Sequence, residues 1–267
     1  MLKDITIGQY FPGETVIHRL DPRTKIILTI AYMVGLFCAG SSISLLFACL
    51  FMVAINVIAR IPIKLVLKGI KPIIPIIILT SLINAFSISG RVIFSFYFLK
   101  MSYEGLRLAI FVSVRLIFLI VGTSMMTYTT SPIAIADGIE ELMAPLKKIK
   151  LPVHELSMMM SIALRFIPTL IEETEKIMSA QKARGADFES GNLMQRIRAL
   201  LPILIPLFLS AFRRAEELAL AMDCRCYRGG NGRTRLRRLK MESIDFAAYG
   251  VFVFYFAAII VFNTFFS

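Results

Sequence analysis

Long stretches of this chain carry almost no charge, and that constrains its fold more than any motif in it. Five apolar runs stand out: 26–39, 43–59, 72–86, 106–128 and 246–265. Hydrocarbon offers the backbone no water to bond, so a crossing segment must close its own hydrogen bonds as a helix of roughly 20 residues. With 57% hydrophobic residues and a mean hydropathy of +0.74, the chain holds more apolar side chains than a soluble domain uses. The expected fold class is an all-α integral membrane protein with about five transmembrane helices. The 26–39 run is short unless it borrows residues near Lys25. Gly40-Ser41-Ser42 makes it one half of a tight hairpin with 43–59. Pro75 interrupts the third run, which membrane helices tolerate. Residues 92–99 are too short to cross and are expected to be interfacial or re-entrant. Arg115 lies inside the fourth run. It either faces protein or water in a functional role, or snorkels or pairs within the bundle.

The net charge is +12. Counting Lys and Arg by loop sets the orientation: Lys3, Arg19, Arg23 and Lys25 fall on one side with Arg60, Lys64, Lys68 and Lys71. The positive-inside bias makes that side cytoplasmic and places the C-terminus outside, with the short loop 60–71 carrying most of the weight. Nucleic acid is not an expected partner, since tryptophan is absent and no basic stretch interleaves with aromatics on a known motif. Asp4, Gln9 and Glu14 precede any apolar run, so no cleaved signal peptide is expected. Cys38 and Cys49 sit in apolar runs as packing residues, and Cys224 and Cys226 offer too few ligands for a metal site.

Between the fourth and fifth runs lies a basic, amphipathic insert. The expected organisation is 1–130 with four spans, 131–243 as a cytoplasmic coupling-helix domain, and 244–267 as the last span. Three helices are expected in the insert. The first covers 132–148, with Ser131 as N-cap and apolar residues at spacings of three and four. The second covers 153–183, kinked at Pro168. The third covers 193–225. Its stretch 199–212 is apolar nearly all round despite Pro202 and Pro206, and is expected to be buried against the other insert helices or another subunit. Setting Arg184 on Arg225 aligns Glu175 with Glu216 and Ala180 with Ala221, a weak internal repeat.

The second and third helices end at arginines flanked by small residues: Ala183-Arg184-Gly185 and Cys224-Arg225-Cys226. A guanidinium on a helix end can reach a carboxylate or an opposing helix C-terminus, or it can simply offset its own helix dipole. Met158, Met159 and Met160 follow one another around a helix, so some must face outward. They are either core or an adaptable partner surface. The chain has no P-loop, no H-E-x-x-H and no G-x-S-x-G, and its spans nearly lack carboxylates. No enzyme activity and no cofactor are expected. A self-sufficient secondary carrier and a membrane-embedded enzyme using Arg115 are the alternatives.

Several segments together resemble one family. They are Gly8-Gln9-Tyr10 with Pro12-Gly13, His18-Arg19-Leu20-Asp21-Pro22-Arg23-Thr24-Lys25, Arg165-Phe166-Ile167-Pro168, Ala183-Arg184-Gly185 and the stretch from Ala221 to Gly229. The chain resembles the transmembrane T component of energy-coupling-factor importers, the vitamin and trace-metal transporters of prokaryotes. That family carries two Ala-Arg-Gly motifs. The second departs here, with Cys224 and Cys226 around Arg225. The resemblance implies a scaffold in the cell membrane that links two ABC ATPase subunits to a small substrate-binding S component. It implies ATPase coupling through Ala183, Arg184, Gly185, Cys224, Arg225 and Cys226. It also implies S-component docking on Met158, Met159, Met160, Pro168, Pro202 and Pro206.

Overall fold

A computed structural model describes residues 10–88, 91–96, 99–145, 152–186, 188, 192–229 and 239–266. Gly8, Gln9, Lys147, Lys148, Lys150, Asp187 and the expected break at 230–232 lie outside them. The chain divides into two compact units. One comprises Leu142–Arg237, and the other comprises Gly8–Glu141 with Arg238–Ser267.

The latter unit opens with α1 (Val16–Arg19) and α2 (Pro22–Cys38). Asp21 starts α2 by accepting the Arg23 amide at 2.9 Å, and Pro22 occupies the first turn, where a missing N–H is harmless. A reciprocal capping box between Ser41 and Ser44 starts α3 (Ser42–Ala59). The segment after Arg60, expected as a basic loop, is instead mostly helix. Ile63, Val66, Leu67 and Ile70 recur at helical spacing and form α4 (Ile63–Ile70), which leads through a 3₁₀ turn at Lys71–Ile73 into α5 (Ile74–Ser87). Pro72 and Pro75 fall in first turns, so neither breaks a helix interior.

The 92–99 region, expected to be interfacial or re-entrant, belongs to a β-hairpin. Strand β1 (Val92–Phe96) pairs antiparallel with β2 (Leu99–Ser102), with Phe96 opposite Leu99 and an irregularity between Val92 and Phe94. It is the only strand pair among the described residues. Helix α6 (Tyr103–Thr129) follows, capped by the Ser102 hydroxyl on the Gly105 amide at 3.0 Å. Ser131 caps α7 (Pro132–Met143) on the Ala134 amide, and α7 ends short of the expected Lys148. Helices α8 (Val153–Ala183) and α9 (Leu193–Cys224) belong to the second unit, and α10 (Ser243–Phe266) closes the chain.

Among the described residues, four helical stretches are long and apolar enough to cross a bilayer: Ser42–Ala59, Ile63–Ser87, Tyr103–Thr129 and Ser243–Phe265. Helix α2, the remaining expected span, has 17 residues, the lower limit for crossing. It lies in the middle of the bundle, packed on α6 and α10. The core gathers Tyr32, Leu36, Met52, Met125, Tyr255 and Ile259. Two glycines set how closely helices approach. A Cβ on Gly35 would lie 2.6 Å from the Tyr255 ring, and one on Gly122 would lie 2.7 Å from the Tyr32 ring. Small residues at such crossings are how membrane helices gain packing contact.

Side chains tie both ends of this bundle. At one end Asp245, 2% exposed, accepts the backbone amides of Asp21 at 2.9 Å and Glu242 at 2.8 Å. The Asp21 carboxylate holds the Arg23 guanidinium at 3.1 and 3.0 Å. Lys25 donates to the carbonyls of His18 at 3.0 Å and Thr129 at 2.9 Å, joining α1 and α6 to α2. At the other end Asn263 donates to the Cys38 carbonyl and accepts from Gly40 and Ser44. There Arg115 donates to the Ala39 carbonyl at 2.6 Å and stacks on Phe111 with its guanidinium 4.7 Å from the ring centre. Arg115 thus pairs within the bundle, one of the two positions expected for it.

A Gly122→Val protein should therefore lose thermal stability by about 1–3 kcal/mol through overpacking against Tyr32. Gly250→Val, where a Cβ meets nothing within 4 Å, should melt like the parent in the same detergent.

Candidate coupling arms

The second unit centres on α8 and α9, which pack against each other. Helix α8 runs through Pro168 and α9 through Pro202 and Pro206. Arg214 Nη2 donates to Glu173 Oε2 at 2.8 Å, fastening the two helices. The Ser210 hydroxyl and the Arg214 guanidinium hold the Glu173 carboxyl below its ordinary range. This cross-helix clamp was not singled out from the sequence. Its signal was only a pair of opposite charges on helices whose pairing is non-local.

The two helix ends repeat one hydrogen-bond pattern. After α8, the Gly185 amide donates to the Lys182 carbonyl at 3.0 Å and the Ala186 amide to the Gln181 carbonyl at 3.0 Å. After α9, the Cys226 amide donates to the Asp223 carbonyl at 2.9 Å and the Tyr227 amide to the Met222 carbonyl at 3.0 Å. Both are Schellman ends, with one bond reaching back three residues and one reaching back five. Arg184 and Arg225 hold the same place in each, as the last residue before the left-handed position. That position is Gly185 at φ +89° in the first and Cys226 at φ 55° in the second. Cys226, where the resemblance implies a glycine, thus takes the same left-handed region as Gly185. The weak alignment of Arg184 on Arg225 acquires a geometric counterpart here.

Ala183, Arg184, Gly185, Cys224, Arg225 and Cys226 are all exposed. Among the described residues, neither Arg184 nor Arg225 has an ion pair. A Schellman end already satisfies the last carbonyls with backbone amides, so the guanidinium is not needed as a cap.

The expected docking residues lie on the same two helices. Met159, Met160, Pro168, Pro202 and Pro206 are exposed, and Met158 is half-buried. The apolar stretch 199–212 does not bury itself against other insert helices, contrary to that part of the expectation. Only Ile203 is buried there, while Leu204, Phe208 and Leu209 are 54%, 63% and 62% exposed. The helix continues through Pro202 and Pro206, and among the described residues most of this stretch stays exposed.

Comparison with known proteins gives a consistent result. Residues 13–236 match the CbiQ family, described as a cobalt transport protein. An energy-coupling factor transporter transmembrane protein EcfT from Thermosediminibacter oceani is 55% identical over 248 residues, covering 93% of this chain and 94% of that protein. The EcfT of Ruminiclostridium cellulolyticum is 53% identical over 253 residues, covering 95% of each chain. That of Bacillus subtilis is 48% identical over 246 residues, covering 92% and 93%.

Replacing Cys226 by valine, similar in size but β-branched, should weaken the α9 end by about 1 kcal/mol, whereas glycine should be tolerated. Hydrogen exchange at the Tyr227 amide reads the difference. A second outcome follows from Glu173. Its carboxyl is depressed in the folded arm, so its contribution is full above the ordinary carboxylate pKa and is lost as pH falls through the lowered value. Ser210→Ala or Arg214→Ala should raise the Glu173 titration midpoint, measured by carboxyl-carbon NMR.

Proposed function

The chain belongs to the CbiQ family, and on that premise we propose that it is the energy-coupling scaffold of an energy-coupling-factor importer. It links ATP hydrolysis by two ABC ATPase subunits to uptake through a small substrate-binding S component, for a vitamin or trace metal. The reading rests above all on the matched helix ends, which present Arg184 and Arg225 with no ion pair in this chain among the described residues. Each arginine engages one ATPase. A desolvated, charge-assisted contact contributes about 1.5–3 kcal/mol, and two of them also fix orientation. Closure of the ATPase pair moves the α8–α9 arms, and the Glu173–Arg214 clamp keeps the two helices moving together. The exposed face of α9 and the methionines of α8 form the docking surface for the S component, where flexible thioethers allow different partners to fit. The chain is a non-catalytic subunit. It sits in the plasma membrane of a prokaryote, with its N-terminus and arms cytoplasmic and its C-terminus outside, as the distribution of basic residues favours.

Reversing both charges tests the proposal. In the assembled transporter, Arg184→Glu with Arg225→Glu should either strip the ATPases from the purified complex or leave hydrolysis running without uptake. Two lost contacts of the above size correspond to at least about a hundredfold weaker association. Wild-type uptake by the double variant would refute the coupling role.

A further inference from the structure

We infer that the membrane unit holds one acyl chain of a bilayer phospholipid in a cleft between α3 and α10. The cleft has a volume of about 350 Å³. Its floor is formed by Leu28 and Tyr32 of α2, Met52 of α3 and Met125 of α6, all buried. Its rim is apolar and faces outward: Val16, Ile58 and Val251 line it and are 56%, 55% and 53% exposed. Both walls, α3 and α10, are helices apolar and long enough to cross the bilayer. The opening therefore meets hydrocarbon.

That setting decides the occupant. An apolar cavity of this kind does not take up water. Left empty, its walls forfeit the dispersion contacts that close packing supplies. The medium at its mouth consists of acyl chains, and a chain is narrow and flexible enough to enter between two helices. The cleft also has a polar end. Lys25 lines it there beside α1, and its two carbonyl bonds use two of the three donors of an ammonium. The third remains for an ester or phosphate oxygen, so the lipid enters with its glycerol end beside α1 and its tail running between α3 and α10. Asp21 and Asp245 are the acidic groups near this lysine. Asp21 is held by Arg23, and Asp245 by the amides of Asp21 and Glu242.

The chain contains no tryptophan, so a single reporter can be placed cleanly. Phe252→Trp puts the indole on the cleft wall, and Phe254→Trp puts one on the exposed face of the same helix. Each full-length variant is reconstituted with brominated phosphatidylcholine and then diluted into excess unbrominated lipid. Fluorescence of the Phe254→Trp protein should recover at the rate of bulk lipid exchange. That of the Phe252→Trp protein should recover about tenfold slower or more, as expected for a bound ligand. Adding Ala54→Leu and Ala248→Leu, which fill the cleft from both walls, should abolish the slow phase. Equal recovery rates at both positions would overturn the proposal, as would a slow phase that survives the filling substitutions. Brominated free fatty acid serves as the other source of the same chemistry. A slow phase seen with it and not with the phospholipid would overturn the phospholipid assignment.

Discussion

A buried helix end must find partners for its last backbone groups without help from water, and the membrane unit is organised around that requirement at both ends of its core. An unsatisfied buried group costs about 1–3 kcal/mol in a protein interior, and several in hydrocarbon. Asp245 meets the demand at the starts of α2 and α10 by taking the amides of Asp21 and Glu242 together. Lys25 meets it for the last carbonyls of α1 and α6. At the other end, Asn263 and Arg115 do the same for the turn between α2 and α3. The few polar side chains in the bundle therefore set which helix ends stay together.

Helix packing between those ends depends on size rather than polarity. With apolar solvent outside, burying apolar area gains little, and helices associate by close contact. Gly35 and Gly122 admit the rings of Tyr255 and Tyr32 almost onto the backbone. The Tyr255 ring also stacks on Phe51 with centroids 4.6 Å apart. Tight contact at these crossings goes with looser contact elsewhere. The α3–α10 cleft opens above a floor of buried residues, Leu28, Tyr32, Met52 and Met125.

Local signals made much of this legible in the sequence. An apolar stripe marked α8 at 153–183, as observed, and the stretch ending at Arg225 marked α9 to within one residue at its end. The Asp21-Pro22-Arg23 segment was visible as a turn ahead of the first apolar run. Its partner Asp245 was not, because the two lie 224 residues apart and nothing local links them. Helix α4 was hidden because Lys64, Lys68 and Lys71 looked like a basic loop. Their spacing of four and three puts them on one face, opposite the apolar residues that make the helix. The β-hairpin escaped because its strands are five and four residues long, too short for alternation to show. At the candidate site, Arg184 and Arg225 were visible as tips. The left-handed backbone of Cys226 was not, since a cysteine gives no hint of it.

Among the described residues some arginines are engaged by their own chain, Arg214 by Glu173 among them, while the two at the helix tips have no ion pair, and the contrast bears on the coupling role proposed for the tips. Arg23 and Arg115 are engaged by their own chain, one by Asp21 and the other by the Ala39 carbonyl. The Arg23 guanidinium pairs with the carboxylate that starts α2, and that of Arg115 caps the end of the same helix. Arg184 and Arg225 could have served the same purpose, since cations favour helix C-termini. The Schellman bonds from Gly185, Ala186, Cys226 and Tyr227 satisfy those carbonyls instead. Both ends keep this self-sufficient closure even though the second has cysteine where glycine is easier to accommodate. Keeping a left-handed cysteine costs conformational energy that a frayed end would avoid. Two rigid ends of the same shape, each offering a planar fork with no ion pair among the described residues, are what the proposed coupling role would require. Such ends would transmit a push along α8 and α9 without first absorbing it in local rearrangement.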